Sequence, residues 1–443
     1  RSPHSWGRCV RSCEPFSMPA SDPIELLLAG TYPDPETGEL LACEARSIAI
    51  ADSLAGREVE LVRALDIGEH LAVLGDVDTY PVLGERVAKS LSSHFGVQRI
   101  VLDRRPSCDR PTAQMIAQRL APETTAVISV GSGTLNDLGK LAAFERDLPQ
   151  LVFATAPSMN GFTSVSASIH EDGAKRSVRV RTPVAAFFDL EVLAHAPARL
   201  IRAGLGDSIC RPTAQADWLL AHLLLDRPYR ELPFALLRED EQHLFDAAAG
   251  LVERDLGAIR ALVRILVLSG FGMTLCGGSM PASQGEHLIS HYLEMMRPVS
   301  VLEAFHGEQV GVAALAMARL QTTVLARTGT PQLRPIGITH KSVIDHFGPD
   351  RGAAVWADVA AKQVDIATVN ARLASSWPAI RARLQEVVRT PDELRAVLVA
   401  AGAPTTPAQL GYPDALFGEA FAHARELRDR YTFLDFAADL VAS

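Results

Sequence analysis

Short apolar runs alternate with amphipathic stretches along the first 197 residues. Four of the runs are apolar almost throughout, at residues 70–74, 99–102, 126–130 and 151–154. Such runs are typical of strands that are buried on both faces. Amphipathic patterns at residues 82–95, 112–120 and 135–144 predict helices between these strands. The alternation therefore predicts a parallel sheet with helices on both faces.

Beyond Pro197 the apolar residues recur every three or four positions, with Ala and Leu dominant. This spacing predicts helices at residues 241–268, 286–296, 309–326, 353–373 and 391–400. Residues 331–337 and 404–413 contain several Pro and Gly and are predicted to be connecting loops. The sequence thus predicts an α/β domain over residues 18–197, followed by an all-α domain over residues 198–443.

The first 17 residues carry three Arg and lack the apolar centre of a secretory signal. We expect them to be a disordered or non-native leader, with Met18 as the natural start. No uninterrupted apolar run reaches the roughly 18 residues that cross a bilayer. The nearest candidate, residues 265–278, is interrupted by Ser269 and Thr274. The six cysteines are widely scattered, which indicates free thiols in a reducing cytoplasm rather than a disulfide framework.

The charge distribution, together with the lack of a long apolar run, argues against two classes of partner. The formal net charge is −9, and no block of like charges interrupts the chain. A nucleic-acid-binding protein would need a basic face to neutralise phosphates. We therefore expect neither nucleic-acid binding nor membrane insertion.

A glycine turn follows the third predicted strand and opens the next helix. Gly131 and Gly133 would let the backbone turn tightly, and the free N–H groups at the helix start could then bind a phosphate. The segment is neither a Walker A sequence nor a GxGxxG fingerprint. A plain strand-to-helix turn that binds nothing is the alternative.

Two more segments lie where parallel strands are predicted to end. Asp76 ends the first strand, and an acidic residue there can accept a hydrogen bond from a ribose hydroxyl of a dinucleotide. A helix N-cap formed by Asp78 or Thr79 is the alternative. Residues 155–164 are rich in hydroxyl groups and lie at the edge where ligands bind in open α/β sheets. An ordinary polar connection would look the same.

The helical half carries residues of the types that bind metals. Asp207 follows a Gly, His287 and His291 are four apart and share a helix face, and His306 precedes a Gly. One Asp and two His form a typical catalytic set with a fourth position open to substrate. The segment His287–His291 lacks the Glu of a zincin motif, so a metalloprotease is not expected. A lone His on a helix is more often structural, but several such residues near Gly favour a site.

Six motifs together resemble the sn-glycerol-1-phosphate dehydrogenase family. This family is part of the superfamily of iron-type alcohol dehydrogenases, glycerol dehydrogenase and dehydroquinate synthase. The motifs are GSGTLNDLGK, TAPSMNGFTS, FFDLEVLAHAP, AGLGDSICRPTAQADW, SMPASQGEHLISH and FHGEQVGV, in family order from Gly131 to Val312. The resemblance implies a Rossmann-like N-terminal domain, an all-α C-terminal domain and a cleft that holds NAD or NADP and one divalent metal.

The resemblance also implies roles for individual residues. Asp207, His287 and His306 would be the metal ligands, and Asn160 would contribute to catalysis beside them. Asp76 would bind the adenosine ribose, and His291 would lie on the nicotinamide side. The remaining residues along the cofactor would be Gly131, Gly133, Thr134, Asn136, Asp137, Thr155, Ser158 and Ser164.

The implied reaction interconverts dihydroxyacetone phosphate and sn-glycerol 1-phosphate or a related polyol phosphate. Two residues depart from the family pattern: Asn160 stands where an Asp is usual, and Arg211 stands where a Lys is common. Asn160 cannot take up a proton as a carboxylate does. Arg202, Arg211 and Lys175 are candidate ligands of the substrate phosphate.

Other interpretations fit the same motifs. One is a dehydroquinate-synthase-like lyase or cyclase that uses NAD internally, and another is a catalytically silent NAD-binding homologue. Nitrogen and oxygen ligands suit Zn, Ni or Fe(II), with Zn expected. A homodimer or a larger homo-oligomer is the default expectation for a soluble enzyme.

Overall fold

The computed structural model describes residues 22–171, 174–362 and 364–441. The expected leader of residues 1–17 and the expected start at Met18 lie outside this part of the chain. The cysteines within it, Cys43, Cys108, Cys210 and Cys276, are free thiols, as the sequence predicted.

The described residues form a central sheet of six parallel strands, in the order β3-β10-β7-β6-β4-β5. Two antiparallel pairs, β1-β2 and β8-β9, lie outside it. The strands are β1 (Tyr32–Pro33), β2 (Leu40–Leu41), β3 (Ser47–Ala51), β4 (His70–Asp76), β5 (Gly96–Leu102), β6 (Ala126–Gly131), β7 (Gln150–Ala154), β8 (Ser166–Glu171), β9 (Ala174–Arg179) and β10 (Ala185–Asp189). The predicted parallel sheet is confirmed in β4 to β7, whereas the sequence patterns missed β3, β10 and the hairpin β8-β9.

Helices flank this sheet, and the predicted ones are confirmed within a few residues of their expected ends. They are α1 (Pro23–Ala29), α2 (Glu58–Arg63), α3 (Glu85–Leu91), α4 (Arg110–Arg119), α5 (Gly133–Glu145) and α6 (Leu190–Ala194). Because the strands are parallel, β4, β6 and β7 end at the same edge of the sheet. Gly131 is paired with Ala154 in the register of β6 and β7. The glycine turn and the loop after residue 154 are therefore neighbours.

The second half is helical, as predicted. Its helices are α7 (Ala198–Ile209), α8 (Arg211–Leu225), α9 (Leu232–Ala235), α10 (Arg238–Ala247), α11 (Gly250–Glu253), α12 (Leu256–Leu275), α13 (Gly285–Met296), α14 (His306–Ala326), α15 (His340–Lys362, broken at Gly348), α16 (Ile366–Gln385), α17 (Pro391–Ala400), α18 (Asp414–His423) and α19 (Phe433–Ala438). In the described part of this half, a single isolated β-bridge pairs Leu333 with Leu440.

Two predicted helices are wrong in extent because local capping interrupts them. The helix expected at residues 241–268 is divided into α10, α11 and α12, since Arg254 adopts a left-handed φ of 60° and Asp255 caps α12. The helix expected at residues 353–373 is divided between α15 and α16. There the Asp365 side chain accepts hydrogen bonds from the first N–H groups of α16. The breaks before α12 and α16 each follow from an Asp that satisfies a helix start, whereas α11 begins after Ala249 without a side-chain cap.

In the described part of the chain, two helices are long and apolar enough to cross a membrane, although polar residues interrupt their apolar runs. They are Leu256–Leu275 and His306–Ala326. In their most apolar windows, 83% and 67% of the residues are buried inside the protein. These helices are therefore packed core elements.

The apolar core is continuous between the sheet and the helices that follow it. Val152 and Phe188 on the sheet belong to the same buried cluster as Leu205 of α7, Ile259 of α12 and Val310 of α14. Burial of this shared cluster packs α7 and α14 against the sheet, near the edge at which the strands end. The division at residues 197 and 198 stays a prediction.

Candidate functional site

Three side chains from three helices converge at one point. Asp207 lies on α7, His287 lies on α13, and His306 is the first residue of α14. One carboxylate oxygen and one nitrogen of each imidazole all lie within 4.8 Å of one another. Asp207 and His287 are buried, while the His306 side chain keeps 26% of its surface exposed. The structure thus brings together the three predicted ligands and leaves them open on the His306 side.

Glycines allow the backbones of α7 and α14 to approach each other closely where the helices cross. A Cβ atom on Gly206 would lie 1.9 Å from the Gly307 carbonyl oxygen, and one on Gly307 would lie 1.9 Å from the Ala203 carbonyl oxygen. Any side chain at either position would force the two backbones apart. Since Gly206 precedes Asp207 and Gly307 follows His306, the close crossing fixes the distance between these two ligands.

Neighbouring polar groups orient each ligand. Glu286 Oε1 lies 3.0 Å from His287 Nδ1, and Glu286 Oε2 accepts a hydrogen bond from the Thr213 hydroxyl. His287 Nε2 then lies 3.4 Å from Asp207 Oδ1. On the other imidazole, His306 Nδ1 lies 2.9 Å from Glu294 Oε1. Carboxylates that hold the far nitrogen of a ligating His are typical of metal sites.

Charges within the cluster shift its protonation equilibria. Burial disfavours the charged forms of both Asp207 and His287, but it is outweighed by their mutual hydrogen bond and charges, together with the contact of Glu286 with His287. The pKa of Asp207 is therefore lowered, and the pKa of His287 is raised to about 9. Burial, followed by the charge of Lys175, lowers the pKa of His306. A proton on His287 thus occupies the place that a cation would take, and binding of a cation would release it.

The donor set fits a divalent cation. One carboxylate and two imidazoles, buried and oriented by further carboxylates, are ligands that Zn, Ni and Fe(II) all accept. A second set, formed by Cys210, Glu286 and His287, has ligand atoms equally close together. Glu286 is engaged with Thr213 and with the backbone N–H of Gln284, so it orients His287 rather than offering a free ligand.

His291 lies one helical turn beyond His287 on α13. Its ring centre is 6.2 Å from that of His287 and 5.8 Å from that of His306. It is outside the ligand set, and its Nδ1 atom is buried without a hydrogen-bond partner in the described residues. Its predicted place on the nicotinamide side stays a prediction.

The glycine turn occupies the edge of the sheet next to the loop of residues 155–164. A Cβ atom on Gly131 would lie 2.4 Å from Leu135, so only Gly fits between β6 and α5. Ser132 Oγ lies 3.0 Å from Ser158 Oγ, and the Thr155 N–H donates to the Gly131 carbonyl. The turn and the loop therefore form one surface, to which Gly133 and the exposed Thr134 contribute.

Other predicted cofactor residues form hydrogen bonds that hold this surface in place. The Asn136 side chain is buried and donates to Asp137 Oδ1 and to the Gly161 carbonyl. Asp137 Oδ2 accepts the Ser168 N–H, and Ser164 Oγ bonds to the backbone of its own loop. A direct contact of these residues with a cofactor stays a prediction.

Lys140, which the sequence patterns did not single out, connects α5 to the loop that forms this surface. The Lys140 ammonium group is buried and donates to the carbonyl oxygens of Gly161, Ser164 and Ser166. It lies 3.6 Å from Asp137 Oδ1. The position of Lys140 one helical turn after Asp137 is the signal that could have revealed it.

At the end of β4, Asp76 holds its own turn. Its Oδ1 atom accepts the N–H groups of Asp78 and Thr79. Thr79 makes no capping hydrogen bond to the turn that follows, and its hydroxyl instead accepts the Asp76 N–H. Thr79 therefore occupies the N-cap position of the helical turn Tyr80–Gly84 but does not cap it through its side chain. Ribose binding by Asp76 stays a prediction.

Comparison with known proteins places the chain. Residues 49–197 match the family model described as "Iron-containing alcohol dehydrogenase". A protein named glycerol-1-phosphate dehydrogenase [NAD(P)+] from Thermococcus sibiricus is 30% identical over 65% of this chain and 82% of its own length. The chain belongs to the glycerol-1-phosphate dehydrogenase family. A Bacillus velezensis protein of the same name is 29% identical over 87% of this chain and 91% of its own length.

Solved structures share the fold of this glycerol-1-phosphate dehydrogenase family member. A probable glycerol dehydrogenase from Sinorhizobium meliloti has a TM-score of 0.56 at 18% identity and covers 85% of this chain and 87% of its own. Glycerol dehydrogenase from Schizosaccharomyces pombe has a TM-score of 0.54 at 17% identity, with 86% and 89% covered. The predicted α/β sheet followed by helices is thus confirmed as a fold that these glycerol dehydrogenases share.

The two departures from the glycerol-1-phosphate dehydrogenase pattern have different surroundings. The Asn160 backbone N–H donates to Asp207 Oδ2 at 2.9 Å, and its side-chain amide donates to the Ser269 hydroxyl. A residue of either type at position 160 would keep the backbone contact with Asp207. The guanidinium of Arg211 is paired with Glu241 and donates to Gln215 Oε1, beside a cavity of about 430 Å³.

Of the three candidate phosphate ligands, one is connected to the metal-ligand network. Arg211 is committed to Glu241, and Arg202 lies against Gly402 beyond the end of α17. Lys175 Nζ donates to Glu294 Oε1 at 3.1 Å, the same oxygen that contacts His306. Lys175 is therefore the candidate that the structure places beside the ligands.

Proposed function

We propose that this protein is a metal-dependent, NAD(P)-linked dehydrogenase that interconverts dihydroxyacetone phosphate and sn-glycerol 1-phosphate. The convergence of Asp207, His287 and His306 is the observation that carries the proposal. The glycine turn and its adjoining hydroxyl-rich loop supply a surface for a dinucleotide, and the relatives are named for this activity. The physiological setting that we propose is the cytoplasm, with the protein acting as a homodimer or larger homo-oligomer.

The chain's residues would prepare the reaction by fixing positions before substrate arrives. When bound, a divalent cation supplies Lewis-acid polarisation of the substrate oxygen, and a nicotinamide supplies or accepts the hydride. Asp207, His287 and His306 would hold the cation, with Zn the expected metal and Ni or Fe as alternatives. Glu286 and Glu294 hold the two imidazoles at their far nitrogens, so the ligands need little reorganisation.

The polar surface on the sheet edge would orient the cofactor. Gly131, Gly133 and Thr134 would follow its pyrophosphate, while Thr155, Ser158 and Ser164 would line it from the adjacent loop. Lys140 holds that loop against α5 through three carbonyl oxygens. A fixed loop keeps the hydride-transferring carbon within reach of the substrate carbon, which is the main task of the protein in such reactions.

Reduction of dihydroxyacetone phosphate tests this proposal directly. The protein is stripped with a chelator and reloaded with Zn, Ni or Fe(II), and NADH or NADPH consumption is followed by absorbance. The product is then offered to an enzyme specific for sn-glycerol 3-phosphate. We expect metal-dependent cofactor oxidation and a product that this enzyme rejects. Absence of cofactor oxidation with every metal, or a product that is accepted, would overturn the proposal.

A further inference from the structure

A C-terminal arginine reaches the network around the metal ligands. Arg428 follows α18 and precedes α19, far in sequence from the family motifs. Its Nη2 atom donates to the Lys175 carbonyl oxygen at 3.1 Å. The Lys175 ammonium donates to Glu294, and Glu294 contacts His306. Arg428 is therefore two side chains away from a predicted metal ligand.

The guanidinium of Arg428 lacks a close carboxylate. Within the described ranges, no salt bridge of 4.0 Å or less involves it, although the charge of Asp358 acts on it from α15. The Asp358 carboxylate instead accepts the backbone N–H of Arg428 and lies 3.9 Å from Arg176. Burial and the charge of Arg176 lower the pKa of Arg428, and the charge of Asp358 raises it by less. A largely desolvated cation without a close counter-ion is costly unless an anion joins it.

The backbone holds Arg428 in an unusual conformation. Its φ is 89°, a region that residues other than Gly rarely adopt. Two residues later, Arg430 donates to the Ser279 hydroxyl at 2.9 Å and to the Ser283 carbonyl. These contacts attach the segment to the loop that leads into α13 and His287. Strain that is retained in this way often accompanies a functional position.

An unpartnered polar atom lies on the same side of the site. His291 Nδ1 is buried without a hydrogen-bond partner in the described residues. The charges of Arg428 and Lys175 both act on the His291 ring. Two cations from distant parts of the chain thus act on one imidazole next to His306, that of His291, whose Nδ1 atom has no hydrogen-bond partner in the described residues.

We infer that Lys175 and Arg428 bind the phosphate of the substrate, so that the C-terminal segment completes the substrate site. This inference rests on the proposed function, since it assigns the anion-binding end of the same site. A three-carbon polyol phosphate could place its reacting oxygen at the metal ligands and its phosphate at these two cations. An ammonium and a guanidinium together suit a phosphate dianion.

Replacement of Arg428 by Gly separates binding from folding. Gly accepts a φ of 89° without strain, so Arg428→Gly removes the guanidinium while the backbone is retained. We expect KM for dihydroxyacetone phosphate to rise about 10- to 100-fold, as for a lost charge-assisted hydrogen bond. kcat should change little, and activity with unphosphorylated dihydroxyacetone should not fall. Arg254→Gly is the matched control, because Arg254 also has a positive φ and lies at the end of α11.

Binding of inorganic phosphate to the metal-loaded protein provides a second readout by calorimetry. We expect Arg428→Gly to weaken phosphate binding by a similar factor and Arg254→Gly to leave it unchanged. If the parent protein does not reduce dihydroxyacetone phosphate, the proposed function fails, and phosphate binding still tests the two cations. An unchanged KM in an active enzyme, or unchanged phosphate binding by Arg428→Gly, would overturn the inference.

Discussion

At the scale of single residues, His287 and His291 share one face of α13 but differ in the partners that surround them. The resemblance predicted Asp207, His287 and His306 as metal ligands. Spacing alone left His291 as an equal candidate, since it shares a helix face with His287. The structure separates the two by giving His287 a carboxylate on each side, Asp207 and Glu286. Such contacts depend on tertiary packing, which spacing does not specify.

The orienting role of Glu286 can be tested by a conservative substitution. Glu286→Gln keeps the shape but removes the charge that faces His287 Nδ1. We expect metal affinity to fall about 10- to 100-fold, as for other lost partners of ligating imidazoles. Competition with a chromophoric chelator measures this affinity. Glu303→Gln is the control, because Glu303 is an exposed partner of Arg297, and equal affinities of the two variants would contradict the role.

At the scale of secondary-structure elements, local patterns predicted most positions but few contacts. The strands β4, β6 and β7 were predicted because apolar runs mark strands covered on both faces, and they are buried almost throughout. The run in β5 predicted a strand but not its burial, since β5 lies at the edge of the sheet and only Ile100 and Leu102 in it are buried. β3 is partly exposed along its whole length, and β10 continues directly into α6 at Leu190, so no turn residue separates its short run from a helical pattern. The crossing of α7 and α14 was not predictable either. Glycines in helices can indicate close packing, but they do not identify the partner helix.

The crossing itself predicts the effect of a single methyl group. In Gly307→Ala, the new Cβ would lie 1.9 Å from the Ala203 carbonyl oxygen. We expect a loss of stability of roughly 1–3 kcal/mol from overpacking, together with loss of bound metal because Asp207 and His306 separate. Urea unfolding and metal analysis measure the two effects.

Gly418→Ala is the control for this substitution. Gly418 lies within α18, and its Cβ would meet nothing within 4 Å. Since Ala favours a helix over Gly, the control should gain about 0.5–1 kcal/mol. Normal metal content in Gly307→Ala would show that the close crossing does not set the ligand geometry.

At the scale of the whole molecule, the C-terminal residues return to the site that the central motifs build. The order of a sheet-containing half and a helical half was predictable from the change of period after Pro197. The return of the C-terminal residues to the site was not predictable, because the sequence of α15 to α19 shows only helical periodicity. A buried ion pair fixes the position of the returning segment. Lys362 Nζ donates to Asp435 Oδ1 at 2.8 Å and to the Arg425 carbonyl. Pairing of this kind is visible only when both partners are seen in space.

Removal of this buried pair should loosen the segment that carries Arg428. Lys362→Met leaves the buried Asp435 carboxylate without its cation, so we expect a loss of about 3–5 kcal/mol in the free energy of unfolding. Lys341→Met is the control, since Lys341 is exposed and its pair with Asp345 contributes little. Chemical denaturation compares the two variants, and equal stabilities would show that the pair does not secure the segment.

The central claim is that one divalent cation is held by a carboxylate and two imidazoles contributed by α7, α13 and α14. Anomalous diffraction from crystals of the Zn-loaded protein, recorded at the zinc absorption edge, tests it most directly. The account predicts one strong peak about 2.0–2.3 Å from an oxygen of Asp207 and from a nitrogen of His287 and of His306. A peak coordinated by Cys210 and Glu286 instead, or no peak between the three helices, would contradict it.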